Sequence, residues 1–405
     1  MFEALSDKAC CGCQACVDIC PKKCLKFEID EEGFGYPKVV DETKCIQCDL
    51  CNKTCPVKKS KENPQIFREA YYGFSMDEDD ILKSSSGGLF AVIAKEYQKI
   101  GYYICGATYT NDFKVQHQFV APDENVEKLF SSKYAQSDVA NTFTETKQLL
   151  KQHKKVLYSG LPCQIAALKS FLQFTYDGLI TIDLLCYGVQ SPKVWDYYLN
   201  SYHKGKHPTT ISMRSKHFGW KKYAMEIEFS DGKKYLKAKD NDPYLRCYSK
   251  GLFVRPCCYN CHFKGFPRIS DLTLGDFWEV NELYPNVQSD RGVSIIIPNS
   301  KCGEDILKTI EKSVWYSEID MNRLNEMNIQ YLKPCKENPN RSAFFNGVSR
   351  QESFDVLAKK YAKISRSKQL IYGIKKCLYR NGMWEVIKPF WNLCKNVVSP
   401  KSKHR

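Results

Sequence analysis

The chain has 405 residues, with 60 Lys and Arg against 46 Asp and Glu, and 21 cysteines. That length allows two or three domains around a sizeable core. No apolar run approaches a membrane span, and the opening MFEALSDKAC has neither a basic start nor an apolar stretch. The expectation is therefore a cytoplasmic protein, in which closely spaced cysteines signal metal or redox chemistry rather than disulfides. The formal charge of +14 sits at one end: residues 359–405 carry 13 Lys and Arg and a single acid, Glu385. It therefore says little about the partners of the body.

Residues 1–57 hold 10 of the cysteines. Cys10, Cys13, Cys16 and Cys20 follow C-x2-C-x2-C-x3-C with Pro21 next, and Cys45, Cys48, Cys51 and Cys55 repeat it with Pro56 next. This is the bacterial ferredoxin run, whose thiolates hold 4Fe–4S clusters, the fourth cysteine reaching across to the other cluster. One cluster is thus assigned to Cys10, Cys13, Cys16 and Cys55, and the other to Cys45, Cys48, Cys51 and Cys20. A zinc ribbon needs only two C-x2-C pairs. It leaves the third cysteine, the x3 step and the proline unexplained twice over. Cys11 and Cys24 fall outside the pattern and read as surplus or supporting cysteines. Two neighbouring clusters make a one-electron wire, which needs a further redox centre downstream.

Residues 58–69 are polar, lack apolar periodicity and read as a linker. Residues 70–320 read as mixed α/β. YYICGATYTNDFKVQHQFV alternates about Asn111-Asp112, and AMEIEFSDGKKYLKA about Asp231-Gly232, as two hairpins. KKVLYSG, LITIDLLC, DLTLGDFW and VSIIIP read as strands, and GEDILKTIEKS as a helix.

KSSSGGLFAVIAKEYQKIG runs from a serine–glycine turn into an amphipathic helix. Ser84, Ser85 and Ser86 offer hydroxyls and an N-cap, and Gly87 and Gly88 let a phosphate approach the first-turn N–H groups. An ordinary capped helix explains that stretch equally well. FSSKYAQSDV adds Ser131, Ser132, Lys133, Tyr134, Gln136 and Ser137, a set suited to a pyrophosphate and a ring. Cys163 opens a helix after a buried strand, a position that favours thiolate. Cys186 ends the next apolar strand. Strand ends in an α/β sheet share an edge, so Cys163 and Cys186 are candidate partners for Cys258 and Cys261 in RPCCYNC. Cys257 competes for a place, and buried structural cysteines are the alternative.

SSSGGLF, SSKYAQSD, SGLPCQIAAL, LLCYGV and RPCCYNC…ISDLTLGDFW, in that order, resemble the coenzyme F420 hydrogenase/dehydrogenase beta-subunit family. The same block is shared with hydroxymethyl chlorophyll a reductases. The resemblance spans roughly residues 1–300. It implies an α+β architecture: a ferredoxin-type domain at 1–57, then a mixed α/β flavin- and cluster-binding body. The body divides at 70–158, which would bind FAD, and 159–320, which would carry a third 4Fe–4S cluster and the substrate face. Residues 321–358 would connect to a basic helical tail at 359–405. Carried over by motif, Ser84–Gly88, Ser132, Lys133, Tyr134, Gln136 and Ser137 would contact FAD, and Cys163, Cys186, Cys258 and Cys261 would hold the third cluster. The chain departs from the pattern at Tyr187, where His is common, at Gln190 after Gly188-Val189, and at Cys257.

The implied function is an oxidoreductase. Electrons from ferredoxin or another donor would pass through the clusters to FAD and on to a small-molecule two-electron acceptor. That acceptor is F420-like or unidentified, with surface-polysaccharide metabolism as one setting. The rival reading is a non-catalytic subunit that hands electrons to a partner enzyme. No catalytic residue is assigned, although Asp276, Trp278 and Lys133 are plausible in the pocket. In the tail, Leu370, Ile371, Ile374, Cys377 and Leu378 fall at helical spacing among lysines. This suggests peripheral contact with the inner face of an anionic membrane, against a helix packed on the body. Nothing in the body resembles a nucleic-acid module, so no nucleic-acid partner is expected.

Overall fold

Each cysteine motif bends its backbone the same way. In the computed structural model, which describes residues 2–59, 69–202, 205–320 and 332–364, Gly12 and Gln14 of the first motif have φ of 69° and 64°. Gln47 and Asp49, at the matching steps of the second, have 52° and 60°. Non-glycine residues pay about 1–2 kcal/mol for this left-handed region, so repeating it at both places points to a shared requirement. A four-residue helix follows each bend, Ala15–Asp18 and Leu50–Lys53. Between the motifs, β1 (Leu25–Ile29) and β2 (Gly35–Val39) form an antiparallel hairpin.

The body is built on one mixed sheet. Its strands are β3 (Ala70–Ser75), β4 (Tyr102–Tyr109), β5 (Val115–Val120), β6 (Lys155–Gly160) and β7 (Leu179–Leu184). After β8 (Pro208–Ser215), β9 (Ala224–Phe229) and β10 (Lys234–Ala238), which form a separate three-stranded antiparallel sheet, it is completed by β11 (Leu272–Asp276), β12 (Ser294–Pro298) and β13 (Val314–Ile319). The order is β13-β3-β12-β11-β7-β6-β4-β5. Strands β4, β6, β7 and β11 run parallel. Gly160 pairs with Asp183, and Leu184 with Leu274, so β6, β7 and β11 end at one edge.

Alternation along β6 sends its side chains to two cores. Leu157 packs with Leu89, Val92 and Ile93 of the helix Leu89–Lys99 and with Ile306 and Ile310 of the helix Lys301–Ile310. Val156 and Tyr158 pack on the other side with Phe143, Ile165, Leu168 and Phe171. Cys11, Cys13, Ala15, Cys257 and Cys258 belong to that second core. Both hairpins read in the sequence are present, β4–β5 and β9–β10.

Residues Met1–Tyr361 form one compact unit and Ala362–Arg405 a second. The tail helix read at 370–378 and most of the linker lie outside the described residues. Within 321–358, read as connecting chain, the structure holds the helix Arg341–Ser349 and the start of the helix Phe354–Tyr361. Phe344 stacks on Phe253 at 5.6 Å and meets Phe354 edge-on at 6.1 Å. Among the described residues, no helix is long and apolar enough to cross a membrane.

The tip of the β1–β2 hairpin is locked to the body. Arg341 forms a bidentate pair with Glu32 and donates to the Val254 carbonyl at 3.1–3.2 Å. The Ser191 hydroxyl donates to the Glu32 carbonyl. Arg341→Met should strand the Glu32 carboxylate. Glu32 is partly exposed, so the cost should be about 2 kcal/mol, below the ~3–5 kcal/mol of a fully buried pair. Denaturant unfolding should show a lower midpoint at unchanged slope; an unmoved midpoint would show that the pair does not hold the tip.

Candidate redox centres and an adjoining pocket

Cys20, Cys24, Cys45, Cys48 and Cys51 line one cavity together with Pro21, Leu25 and Val39. The fourth cysteine of the first motif thus faces the first three of the second. The converse crossing is also visible. Burial pushes the Cys16 thiol up, and the nearby Cys10, Cys55 and Cys51 thiols push it further. Successive N–H groups at right- and left-handed backbone make an anion-binding nest, a feature of Fe–S sites; both motifs have that bend. Among the described residues, no three His, Cys, Asp or Glu side chains are grouped to hold a single metal ion.

The third cavity is richer in thiols than the sequence suggests. Cys163, Cys186, Cys258 and Cys261 line it, and so do Cys11 and Cys257. The shared strand edge brings Cys163, at the N-terminus of the helix Pro162–Leu172, beside Cys186, just beyond β7. The expected lowering of the Cys163 thiol at the helix start does not occur. Its hydrogen bond with Cys11 and its burial push it well up. Cys11, read as surplus, contacts Cys13 on one side and Cys163 on the other, so it spans the first motif and the third cavity. The Cys257 and Cys258 thiols are hydrogen-bonded to each other, and the Cys335 thiol lies 3.7 Å from the Cys258 carbonyl.

Two buried guanidiniums flank these thiols. Arg255 is 0 % exposed. It donates to the carbonyls of Cys10 at 2.9 Å and Gly35 at 2.8 Å and to Gln136 Oε1 at 3.0 Å. Arg268 lines the third cavity; its Nε, Nη1 and Nη2 are buried without a hydrogen-bond partner. Arg268 has Asp183 at 3.6 Å as an ion-pair partner, whereas Arg255 has no carboxylate partner among the described residues. Buried cations need anionic surroundings, which thiolates around an iron–sulfur centre would supply. The donor set therefore fits a cluster.

Next to this cavity lies a pocket of about 610 Å³, within the size range of small-molecule and cofactor sites. Ser84, Ser85, Ser86, Gly88, Ser132, Lys133, Tyr134 and Ser137 line it, as do Asp276 and Trp278. No serine caps the helix Leu89–Lys99; Gly88 occupies that position at φ 84° with no side-chain cap. Ser85 instead accepts from the Ser132 N–H at 2.7 Å, and the Ser86 hydroxyl donates to the Val293 carbonyl at 2.9 Å. Hydroxyls and a helix start without a side-chain cap suit a pyrophosphate, and the volume suits FAD.

Gly87 and Gln136 do not line the pocket. Gly87 packs so closely on β3 that a Cβ would stand 2.6 Å from the Gly73 carbonyl oxygen, and its N–H donates to Ser294 Oγ at 3.0 Å. Gln136 faces the cysteines, donating to the Cys11 carbonyl at 3.2 Å. Lys133 donates to the carbonyls of Phe130 at 2.8 Å and Ser131 at 3.2 Å, and burial pushes its pKa down to about 7.

The residue that organises the pocket carried no motif. Arg214, near the end of β8, binds Asp276 through both nitrogens at 3.0 and 3.1 Å, the Tyr134 hydroxyl at 2.8 Å and the Ser85 carbonyl at 2.7 Å. Its guanidinium lies 4.4 Å from the Tyr223 ring centre and 5.0 Å from that of Trp278. One side chain therefore ties together the serine loop, the SKY stretch and the LGDFW strand end.

Residues 153–323 match the family model for the C terminus of the coenzyme F420 hydrogenase/dehydrogenase beta subunit. A coenzyme F420-dependent sulfite reductase of Methanocaldococcus jannaschii is 24% identical over 341 residues, covering 82% of this chain and 50% of the relative. The chain thus spans about half that relative's length. An uncharacterized protein of Porphyra purpurea is 29% identical over 77 residues, 17% of this chain and 97% of that one. Among solved structures, a chain of the F420-reducing [NiFe] hydrogenase complex from Methanosarcina barkeri aligns at a TM-score of 0.43 and 12% identity, covering 75% of this chain and 95% of its own.

His117 lies on the pocket wall and is 3 % exposed. Its Nε2 is 3.1 Å from the Ser159 carbonyl and its Nδ1 2.7 Å from Ser137 Oγ. The carbonyl only accepts, so Nε2 carries the proton and Nδ1 accepts from Ser137. Burial pushes the His117 pKa down to about 4, against ~6.5 in the unfolded chain. Between those values the unfolded state binds the extra proton, so stability falls as pH drops through that window. From pH 7 to 5 the loss should be about 2 kcal/mol. His117→Gln should remove that part of the pH dependence in denaturant titrations. An unchanged pH profile would mean that His117 titrates normally.

Proposed function

Through residues 153–323 this chain belongs to the coenzyme F420 hydrogenase/dehydrogenase beta-subunit family, and on that footing we propose that it is an iron–sulfur flavoprotein oxidoreductase. Iron–sulfur clusters supply one-electron chemistry, and FAD converts it to the two-electron chemistry of organic acceptors. The protein's part is to hold, orient and shield those groups. Cys10, Cys13, Cys16 and Cys55 would hold one cluster, and Cys45, Cys48, Cys51 and Cys20 a second. Cys163, Cys186, Cys258 and Cys261 would hold a third. Ser84–Ser86, Gly88, Ser132, Tyr134 and Ser137 would hold FAD, with Arg214 fixing the loops that carry them. A small-molecule acceptor, F420-like among the candidates, would meet the pocket at the Asp276–Trp278 side. Ferredoxin is a suitable donor to the N-terminal motifs.

The observation that carries this reading is a shared wall. Cys186, Gly188 and Val189 line both the third cysteine cavity and the 610 Å³ pocket. On its other side, the Cys11–Cys163 contact joins that cavity to the first motif. The thiol sites and the pocket therefore follow one another without an intervening domain. The alternative, delivery of electrons to a partner enzyme, draws support from the chain covering only half of its sulfite reductase relative.

Anaerobic purification with iron, sulfide and flavin assayed tests the reading. About twelve iron and one FAD per chain are expected, and Cys258→Ser should lower iron to about eight while the N-terminal signals persist. About eight iron in the unaltered protein would remove the third cluster; no flavin would remove the flavoprotein assignment.

A further inference from the structure

Arg268 is the charged side chain of the third cavity whose N–H groups are unspent. It is 2 % exposed, and all three of its nitrogens are buried without a hydrogen-bond partner. Its nearest carboxylate oxygen, Asp183 Oδ2, stands 3.6 Å from Nη1, beyond hydrogen-bond reach. Asp183 is otherwise engaged, accepting from the Thr273 hydroxyl at 2.5 Å. The other cation on the cavity wall, Lys264, donates to the carbonyls of Cys186 and Tyr187. The Phe266 ring centre lies 5.6 Å from the Arg268 guanidinium carbon. The guanidinium thus has one ion-pair partner, Asp183, but no hydrogen-bond acceptor for its N–H groups, on the wall of a cavity ringed by six thiols.

We propose that Arg268 is the charge partner of the anionic centre bound by these cysteines, a tuning residue that donates N–H groups towards sulfur and raises the centre's reduction potential. The proposal rests on the reading of this cavity as a third cluster site. Reduction adds one electron and no proton, so the reduced form carries one more negative charge. A fixed cation in a low-dielectric wall stabilises that form more than the oxidised one. Net charge and hydrogen bonds to sulfur are established levers on cluster potential. The consequence is directional: electrons entering at the N-terminal motifs are drawn to the centre beside Cys186, next to the pocket.

The test is an EPR-monitored redox titration of the anaerobically purified full chain, with dithionite as reductant, together with iron analysis. Arg268→Gln removes the charge, and Arg268→Lys keeps it. The Gln variant should lower the third centre's midpoint enough to cut its reduced-to-oxidised ratio about tenfold at a fixed potential, ~59 mV for one electron. The N-terminal centres should be unmoved, and the Lys variant should recover most of the shift. A Gln variant with full iron and an unshifted midpoint overturns the proposal. If Gln loses four iron and Lys keeps them, the charge requirement stands; if both lose them, Arg268 serves packing and the proposal fails. Only eight iron in the unaltered protein would instead sink the third-cluster reading, a separate outcome.

Discussion

The fully buried guanidinium of Arg255 is the contact on which the arrangement of this protein depends. It reaches back 245 residues to the Cys10 carbonyl, and it closes onto Gly35 of the hairpin and Gln136 of the body. The Tyr36 and Phe34 rings lie 4.4 and 5.3 Å from its carbon. Among the described residues, no carboxylate lies within ion-pair distance of it. Its charge is answered instead by carbonyls and ring faces, with the Cys257, Cys10 and Cys11 thiols nearby. The fit is tight: a Cβ on Gly12 would stand 2.6 Å from Nη1. Glycine is therefore favoured there by space, and it adopts the φ of 69° at no steric cost. Because Arg255 directly precedes Pro256 and Cys257, the same contact that docks the first cysteine motif also sets the start of the loop bearing Cys258 and Cys261.

The rest follows from strand ends. β6, β7 and β11 stop at one edge, and their next residues form the walls of the third cavity and the large pocket. Arg214 does for the pocket what Arg255 does for the thiols, holding three loops distant in sequence around one planar cation. The two hubs are bridged by neighbours: Tyr134 binds Arg214, and Gln136, two residues later, binds Arg255. The pocket loop and the cysteine loops are thereby fixed to each other. That rigidity is what electron transfer between separate centres requires of a protein.

Much of this was legible in the sequence, because local chemistry wrote it there. The doubled cysteine run, the period-two strands about Asp231-Gly232 and Asn111-Asp112, and the strand-ending cysteines are patterns within a few residues. The crossing of Cys20 to the second motif was legible because the motif itself implies it. What escaped depends on contacts between distant segments. Arg214, Arg255 and Arg268 carry no spacing signal; their meaning comes from partners up to 245 residues away. Cys11 breaks the motif and so carries no spacing signal, yet its thiol touches Cys13 and Cys163. The serine loop invited a capping role, but tertiary bonds to Ser132 and Val293 claim Ser85 and Ser86 instead. The helices after Asn340 are short, and Phe344 of the first finds its partners in Phe253 and Phe354, contacts that no local pattern marks.

The central claim is that the thiol sites and the pocket form one electron route through the wall that Cys186 shares. The most direct measurement is stopped-flow flavin absorbance after mixing anaerobic protein with a one-electron donor that reduces the N-terminal centres. Unaltered protein and a Cys186→Ala variant that retains flavin would be compared. The account predicts that flavin bleaching slows by orders of magnitude in the variant while the N-terminal centres reduce at the original rate. Bleaching at the unaltered rate would contradict it, because electrons would then reach the pocket by another path.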